Sequence, residues 1–514
     1  MRLIRIRLDS SPGYLFWLAL VLLAVLGVAT VPVGDEAPPV VINVESAQGN
    51  QTLEGFGATH ISMVGISGDH LDPELRARAI QAVYGEVRLN TGNLAVAIFE
   101  APRGTIRLGE KQANDDGDPF HFNWDGFNFV ISDVLKQKLI DPARRFGFDD
   151  FYLGLGINVR WGSRWLKPIR NKDYIRYLDE CAEQVLAAQI HWRDAYGIVP
   201  RYTQLFNEPT SGNRELDPGS VREIIDIIKR TGDRARKEGF ADVKFVVPGE
   251  ETEAISLRVA EAILADPDAR QYVGAIAYHS YPYGSTYSLI ANILNTSGRG
   301  RPDPEKVAIR NRLRDLGKRY GKPVWMTEVS HGGVPALSFE GLLGRAIHIH
   351  DELVYADAAA YFAMNNLRDT VPLHGHAVSL DPFADEGDVA IVDIPARKVF
   401  ITGMGYAIGH YARWIKRGAV RIDATSSDPL VLVTAFRDDR EKRLVIVLIN
   451  NEGHASRLVV ALRGLTSNVP LVFKGEQSTP QAPWAPVGPF VPDAASYTAI
   501  TVPAKSVTTI AVNL

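Results

Sequence analysis

The chain has 514 residues, 46% of them hydrophobic and 23% charged, and its 56 basic and 60 acidic side chains leave a net charge of −4. That balance gives no electrostatic case for a nucleic acid or an anionic surface as partner. The length exceeds one ordinary domain, although an α/β barrel can take up more than half of it.

Residues 1–35 differ from the rest. Arg2, Arg5 and Arg7 precede a charge-free apolar run of 19 residues, Leu15–Val33. Such a run is longer than a usual signal-peptide core and just enough to span a bilayer, so both a cleaved signal and a retained membrane anchor fit it. Basic residues ahead of the run predict that the remainder lies on the outer side in either case, secreted, periplasmic or anchored. Residues 36–50 read as a linker followed by a strand, Pro39–Ser46, expected to join a sheet outside the main domain.

From 51 to 415 apolar strand-like runs alternate with amphipathic segments. The predicted strands are Leu53–Thr59, Glu86–Asn90, Phe151–Asn158, Tyr202–Asn207, Val243–Pro248, Ala275–His279, Pro323–Glu328 and Ala359–Met364. Helices are predicted over Pro73–Val83, Tyr174–Tyr196, Val221–Glu238, Ser256–Asp266, Pro304–Tyr320 and Leu337–Tyr355. Eight strands with intervening helices point to an α/β fold, a (β/α)8 TIM barrel, in which chemistry sits at the C-terminal strand ends. Cys181, the single cysteine, falls on the apolar face of the 174–196 helix and reads as a buried thiol; one cysteine excludes an intrachain disulfide. From 416 to 514 short β-like runs recur between turns (Leu430–Phe436, Leu444–Ile449, Arg457–Leu462, Val469–Phe473, Thr498–Val502, Val507–Val512), which predicts an antiparallel β-sandwich.

The stretch around which this pattern is organised is Arg201–Thr210, RYTQLFNEPT. A short apolar strand stops at Asn207-Glu208-Pro209, and a carboxylate at such a place is costly to bury unless it is paired or used. A buried Glu satisfied by a neighbouring Arg or amide is the competing reading. What favours use is a second carboxylate, Glu328 in PVWMTEVS, which ends the seventh predicted strand as Glu208 ends the fourth. In a closed barrel both face one pocket, and two carboxylates across a pocket are what glycoside hydrolysis needs. One must then hold a proton for the leaving oxygen while the other is ionised to attack or to activate water.

At these residues the chain resembles the clan A glycoside hydrolases, and most closely glycoside hydrolase family 30. The resemblance rests on GFGATH in the first strand, FNEP, AYHSY in the sixth strand, WMTEVS and a C-terminal sandwich that recruits N-terminal sequence. It implies Glu208 as general acid/base and Glu328 as nucleophile, with retention of configuration and no cofactor or metal. Asn207 would bind the sugar 2-hydroxyl, and Tyr281, near His279, would hydrogen-bond the nucleophile. Arg88, placed on the second strand, would support the nucleophile's charge; an ion pair with Glu86 is its plainer reading. Trp161 and Trp165 would present an aromatic face to a pyranose, unless they pack the barrel rim. A Gly162-Ser163-Arg164 loop in place of the family's double proline, and Met364-Asn365-Asn366 where many clan members have tryptophan, mark a divergent member.

Other groups read as bland. Glu250, Glu251 and Glu253 repel one another and are expected to be solvated. Asn114–Asp118 lacks the ligand order of a calcium loop, and His374 and His376 lack a third metal partner. His348 and His350 lie two apart in a helix and do not face one way. The implied function is a retaining β-glycoside hydrolase whose partner is a carbohydrate. A non-catalytic carbohydrate-binding protein on the same scaffold and a transglycosylase are the alternatives.

Overall fold

The computed structural model describes residues 38–59, 71–96, 118–122, 124, 127, 129–155, 166–210, 221–281, 303–330, 334–369, 387–464, 471–493 and 497–514. The apolar run Leu15–Val33, Trp161, Trp165, His374 and His376 lie outside the described residues. Among the described residues no helix is long and apolar enough to cross a membrane.

After strand β1 (Val40–Thr52), eight parallel strands close into a barrel: β2 (Gly55–Thr59), β3 (Thr91–Ala95), β4 (Tyr152–Gly154), β5 (Tyr202–Gln204), β6 (Lys244–Glu250), β7 (Val273–His279), β8 (Val324–Glu328) and β9 (Ala358–Ala363), with β2 pairing β9 to complete the ring. Period-2 alternation divides β7 between two cores. Ala275 and Ala277 of β7 point inward with Tyr152, Val246, Trp325 and Phe362, whereas Ile276 and Tyr278 face the surrounding helices. The glycines of the first barrel strand have a steric reason. A Cβ on Gly57 would sit 2.4 Å from the Thr91 carbonyl oxygen, so only glycine lets β2 lie this close to β3.

The helices begin and end where local chemistry allows. Asp173 accepts from the Arg176 N–H at 3.0 Å ahead of helix Tyr174–Tyr196, and Gly197 closes it at φ 67°. Helix Pro304–Tyr320 has the same frame, with Asp303 as cap, proline in its first turn and Gly321 at φ 62°. Cys181 is buried inside the first of these helices, and burial pushes its thiol up, away from any nucleophilic role.

The second barrel strand corrects the sequence reading. Glu86–Asn90 is not a strand: Gln81–Glu86 forms a widened helical turn, Arg88 has φ 63°, and the strand is Thr91–Ala95. Gly92-Asn93 has little intrinsic strand preference, and the barrel imposes the conformation through pairing with Gly57–Thr59 and a bond from Asn93 Nδ2 to Gln204 Oε1 at 3.1 Å.

Beyond the barrel, β10 (Asn365–Asp369), β11 (Asp388–Asp393) and β12 (Lys398–Ile401) form a small sheet, and helix Gly403–Ala412 follows. Strands β13 (Val420–Ser426), β14 (Val431–Asp438), β15 (Arg443–Asn450), β16 (Ser456–Arg463), β17 (Phe473–Thr479), β18 (Ala482–Phe490), β19 (Tyr497–Val502) and β20 (Ser506–Asn513) join β1 in a nine-stranded sheet of order β18-β17-β20-β15-β14-β13-β1-β16-β19. Residues from both halves of this sheet, Ile42, Ile446, Leu458, Phe473 and Ile510 among them, enclose a core of their own, which makes it a β-sandwich. β1 is antiparallel to β13 but parallel to β16, so the sandwich is not wholly antiparallel; a strand entering from the far end of the chain is not bound by hairpin direction.

The alternate residues Val445, Val447 and Ile449 of β15 extend the barrel's outer core instead, so barrel and sandwich share one apolar layer. His410 anchors that layer, with Nδ1 2.9 Å from Thr509 Oγ1 and Nε2 2.7 Å from Ser478 Oγ. Arg413 adds a two-pronged contact to Glu476 at 2.6 and 3.0 Å, with its guanidinium over the Trp484 ring.

Candidate active site

The fourth barrel strand ends at Gln204, and the chain turns sharply so that Glu208 adopts φ 51°, a left-handed conformation strained for a side chain of its kind. The turn is held from several sides. The Glu208 N–H donates to Gly249 O at 2.8 Å, and Gln204 Nε2 donates to Phe206 O at 2.7 Å. The Thr210 N–H and hydroxyl both donate to Glu250 Oε1, at 3.1 and 2.8 Å. Glu250 is therefore fully buried and fastens the loop that carries Glu208; it is not the solvated group its neighbours suggested. Glu253 is buried too, beside Arg310.

Glu328 ends β8, opposite His279 in the pairing of β7 with β8. Glu208 and Glu328 each retain only 7% exposure. His279 Nδ1 lies 2.9 Å from Glu208 Oε1, and the Tyr281 hydroxyl donates to Glu328 Oε1 at 2.6 Å. One atom each of Glu208, His279 and Glu328 all lie within 4.8 Å of one another. The two acids thus face each other at the C-terminal mouth of the barrel, each with its own partner from one strand end.

The electrostatics follow from enclosure. Burial raises the Glu328 carboxyl above its ordinary range, and the charge of Glu208 adds to this; the His279 charge and the Tyr281 hydroxyl work the other way. Burial disfavours the His279 imidazolium, but the charges of Glu328, Glu208 and Glu250 and the bond to Glu208 outweigh it, so its pKa is raised. Tyr281 is pushed well up, first by burial and then by Glu328, and stays a donor. Two carboxylates and an imidazole are also metal-type donors. Here, however, His279 Nδ1 and a Glu208 oxygen already engage each other and Glu328 accepts from Tyr281, an arrangement suited to moving protons.

Of the residues singled out in the sequence, Glu208, Glu328, His279 and Tyr281 come together, and Asn207 is buried next to Glu208. Arg88 does not. It precedes β3, at the opposite end of the barrel from the strand ends carrying the acids, and is exposed near Lys416 and Arg443. Asn365 and Asn366 at the end of the eighth barrel strand bond Asp388 at 2.8 Å and the Tyr84 hydroxyl at 3.3 Å, which gives them structural work. Glu250 had a sequence signal, its place at the end of the fifth barrel strand, but no sign of its partner forty residues away.

Comparison with known proteins agrees with this layout. A sequence model described as the glycosyl hydrolase family 30 beta sandwich domain matches residues 418–510. Glucuronoxylanase XynC of Bacillus subtilis is 30% identical over 140 residues, covering 26% of this chain and 28% of the relative. For a second XynC sequence, from strain 168, the share of the relative is 41%, so the chain matches well under half the length of these first relatives. Putative glucosylceramidase 2 of Caenorhabditis elegans is 22% identical over 426 residues, 79% of this chain and 75% of that protein. Among solved structures, the glycoside hydrolase family 30 subfamily 8 xylanase Xyn30A from Clostridium acetobutylicum superposes with a TM-score of 0.62 at 17% identity, covering 92% of this chain and 99% of that one.

Proposed function

We propose that this chain, a divergent member of glycoside hydrolase family 30, is an exported retaining β-glycoside hydrolase that works by double displacement. The observation that carries the reading is the pair Glu208 and Glu328, facing each other across the barrel mouth with a near approach inside 4.8 Å and separate hydrogen-bonding partners. Retaining enzymes hold their carboxyls roughly 5–5.5 Å apart, whereas inverting ones need on the order of 6.5–9.5 Å to admit a water.

Glu328 attacks the anomeric carbon while Glu208 gives its proton to the departing glycosidic oxygen. A covalent glycosyl-enzyme results. Glu208, now a base, takes a proton from water, which attacks the same carbon and frees Glu328. Tyr281 keeps the nucleophile hydrogen-bonded until it attacks, and His279 orients Glu208. Asn207, next to the acid, is positioned in sequence to meet a sugar hydroxyl, with Trp161 and Trp165 as candidate stacking platforms. Export is supported by the three arginines ahead of Leu15–Val33. The names of the relatives, a glucuronoxylanase and a putative glucosylceramidase, support β-xylosidic and β-glucosidic bonds as the first to test.

The test is Glu328→Ala on an activated aryl β-glycoside. Turnover should vanish, and azide should restore it with an inverted glycosyl azide as product. Near-normal turnover without azide would sink the nucleophile assignment. A screen of xylan, β-1,6-glucan, β-1,3-glucan, galactan and aryl β-glycosides with the wild type identifies the substrate.

A further inference from the structure

His279, Ser280 and Tyr281 continue the extended run of β7, and their side chains alternate as such backbone requires. His279 meets Glu208 and Tyr281 meets Glu328, while Ser280 meets the helices outside the barrel. There its hydroxyl oxygen lies 2.7 Å from Glu253 Oε1, 2.9 Å from Glu352 Oε1 and 3.0 Å from His348 Nε2, and it accepts from Arg310 Nη2 at 3.3 Å. The hydroxyl has one proton, so it can serve only one carboxylate at a time. Arg310 ties the two acids together, at 2.5 Å to Glu352 and 3.3 Å to Glu253. These groups come from three helices, Glu253–Ala265, Pro304–Tyr320 and Phe339–Tyr355, and all are buried. The Tyr278 hydroxyl, one residue before His279, also donates to Glu352.

A buried charge cluster is a weak stabiliser, because desolvation consumes most of the Coulomb gain; its better-attested use is to impose one geometry. Here the geometry imposed is that of a strand end which carries a hydrogen-bonding partner for each of the two carboxylates. We propose that Ser280 is a positioning residue: clamped by Arg310, Glu352 and Glu253, it fixes the register of residues 279–281 so that His279 and Tyr281 each reach their own carboxylate. The inference rests on the retaining-hydrolase reading and deepens it.

The cluster is also electrostatically settled. Burial would raise the Glu352 carboxyl, but Arg310 and the bonds from His348 and Tyr278 hold it below the usual range, while burial lowers His348. Arg310 stays charged against its own burial because Glu352, Glu253 and Asp351 surround it. On the other side, the groups whose charges act on Glu328 or respond to it are His279, Glu208, Tyr281 and Tyr152. A change of pH profile in a Ser280 variant therefore reports on the catalytic pair and not on the cluster.

The experiment compares Ser280→Ala, Ser280→Thr, Tyr281→Phe and Ser280→Ala/Tyr281→Phe with the wild type on an activated aryl β-glycoside, each variant checked by thermal melting. Ser280→Ala should keep its fold and its KM, lose roughly ten- to a hundredfold in kcat, and move the acid side of its pH profile upward as Tyr281→Phe does. Ser280→Thr, which restores the hydroxyl, should recover most of the loss. The double variant should show no further move of the acid side. An active wild type beside a Ser280→Ala variant of unchanged kcat and pH profile overturns the inference alone, as do additive shifts in the double variant. A wild type that hydrolyses no β-glycoside overturns the hydrolase reading and the inference with it. If Ser280→Ala fails to fold, Arg310→Lys gives the same readouts, since it keeps the charge and loses the fork.

Discussion

Tyr281→Phe removes the hydroxyl that donates to Glu328, the carboxylate proposed as nucleophile. At 2.6 Å from Glu328 Oε1 it is in the short range of charge-assisted O–H···O⁻ bonds. Bonds to a charged group contribute about 1.5–3 kcal/mol net. The hydroxyl favours the ionised form of Glu328, so its loss leaves burial and the Glu208 charge less opposed. Glu328 then holds its proton to higher pH, and the acid side of kcat/KM moves upward. At about 1.36 kcal/mol per pH unit the lower end of that range corresponds to a move of about one unit; a water entering the space left by the hydroxyl argues for the lower end. The assay is kcat/KM against pH with an aryl glycoside whose leaving group needs no proton from Glu208, so that only the nucleophile's ionisation is read. An acid limb that stays put in Tyr281→Phe, or moves downward, would refute the reasoning.

Two further substitutions test the scaffold. His410→Ala removes a fully enclosed ring bonded at both nitrogens and leaves the Thr509 and Ser478 hydroxyls short of a partner between barrel and sandwich; about 2–4 kcal/mol should be lost in chemical denaturation. Burial pushes the imidazole down to about 3, whereas the unfolded chain takes up a proton near 6.5, so the stability His410 provides is complete above that pH and declines as pH falls toward 3. His410→Ala should accordingly differ most from the wild type near neutrality and least in acid, as followed by melting temperature across roughly pH 3.5–8. Gly57→Ala drives a methyl to 2.4 Å from a backbone carbonyl that cannot retreat without breaking the barrel pairing; a loss of at least about 1–3 kcal/mol, or failure to accumulate folded protein, is expected in the same measurement.

The barrel was legible because strand ends and helix caps are local. Asp173 with Gly197, and Asp303-Pro304 with Gly321, mark two helices whose limits agree with the sequence reading at both ends. The two acids were legible for a related reason: a carboxylate closing an apolar run is chemically conspicuous. Arg88 was misread because Val87 and Leu89 look like strand residues, yet they are buried beside a widened helical turn, and the true strand, Thr-Gly-Asn-Leu-Ala, is chosen by its neighbours. Likewise β18, with prolines at 483, 486 and 489, carries a composition that argues against a strand and survives at the sheet edge, where missing N–H donors cost least. Ser280 lies within AYHSY, but its partners gave no signal, since Arg310 and Glu352 are 30 and 72 residues away in sequence and meet it only once three helices are docked.

Having one strand serve both acids has a consequence for the chemistry. In the proposed double displacement Glu208 and Glu328 exchange charge states, and the two carboxyls approach to within 4.8 Å. If their hydrogen-bonding partners came from different strands, a shift of either strand would disturb one acid and spare the other. With His279 and Tyr281 two residues apart, any displacement of the end of β7 loosens both bonds together. A rigid attachment of that segment is then worth more than a rigid attachment of either acid's own strand. The strained turn at Glu208 is already fastened by Gly249 and Glu250, and Glu328 sits inside the sheet ladder opposite His279. The chain leaves the strand after His279, with the Ser280 N–H still bonded to Glu328 O at 3.1 Å, and it is at Ser280 that the buried charges of three helices converge.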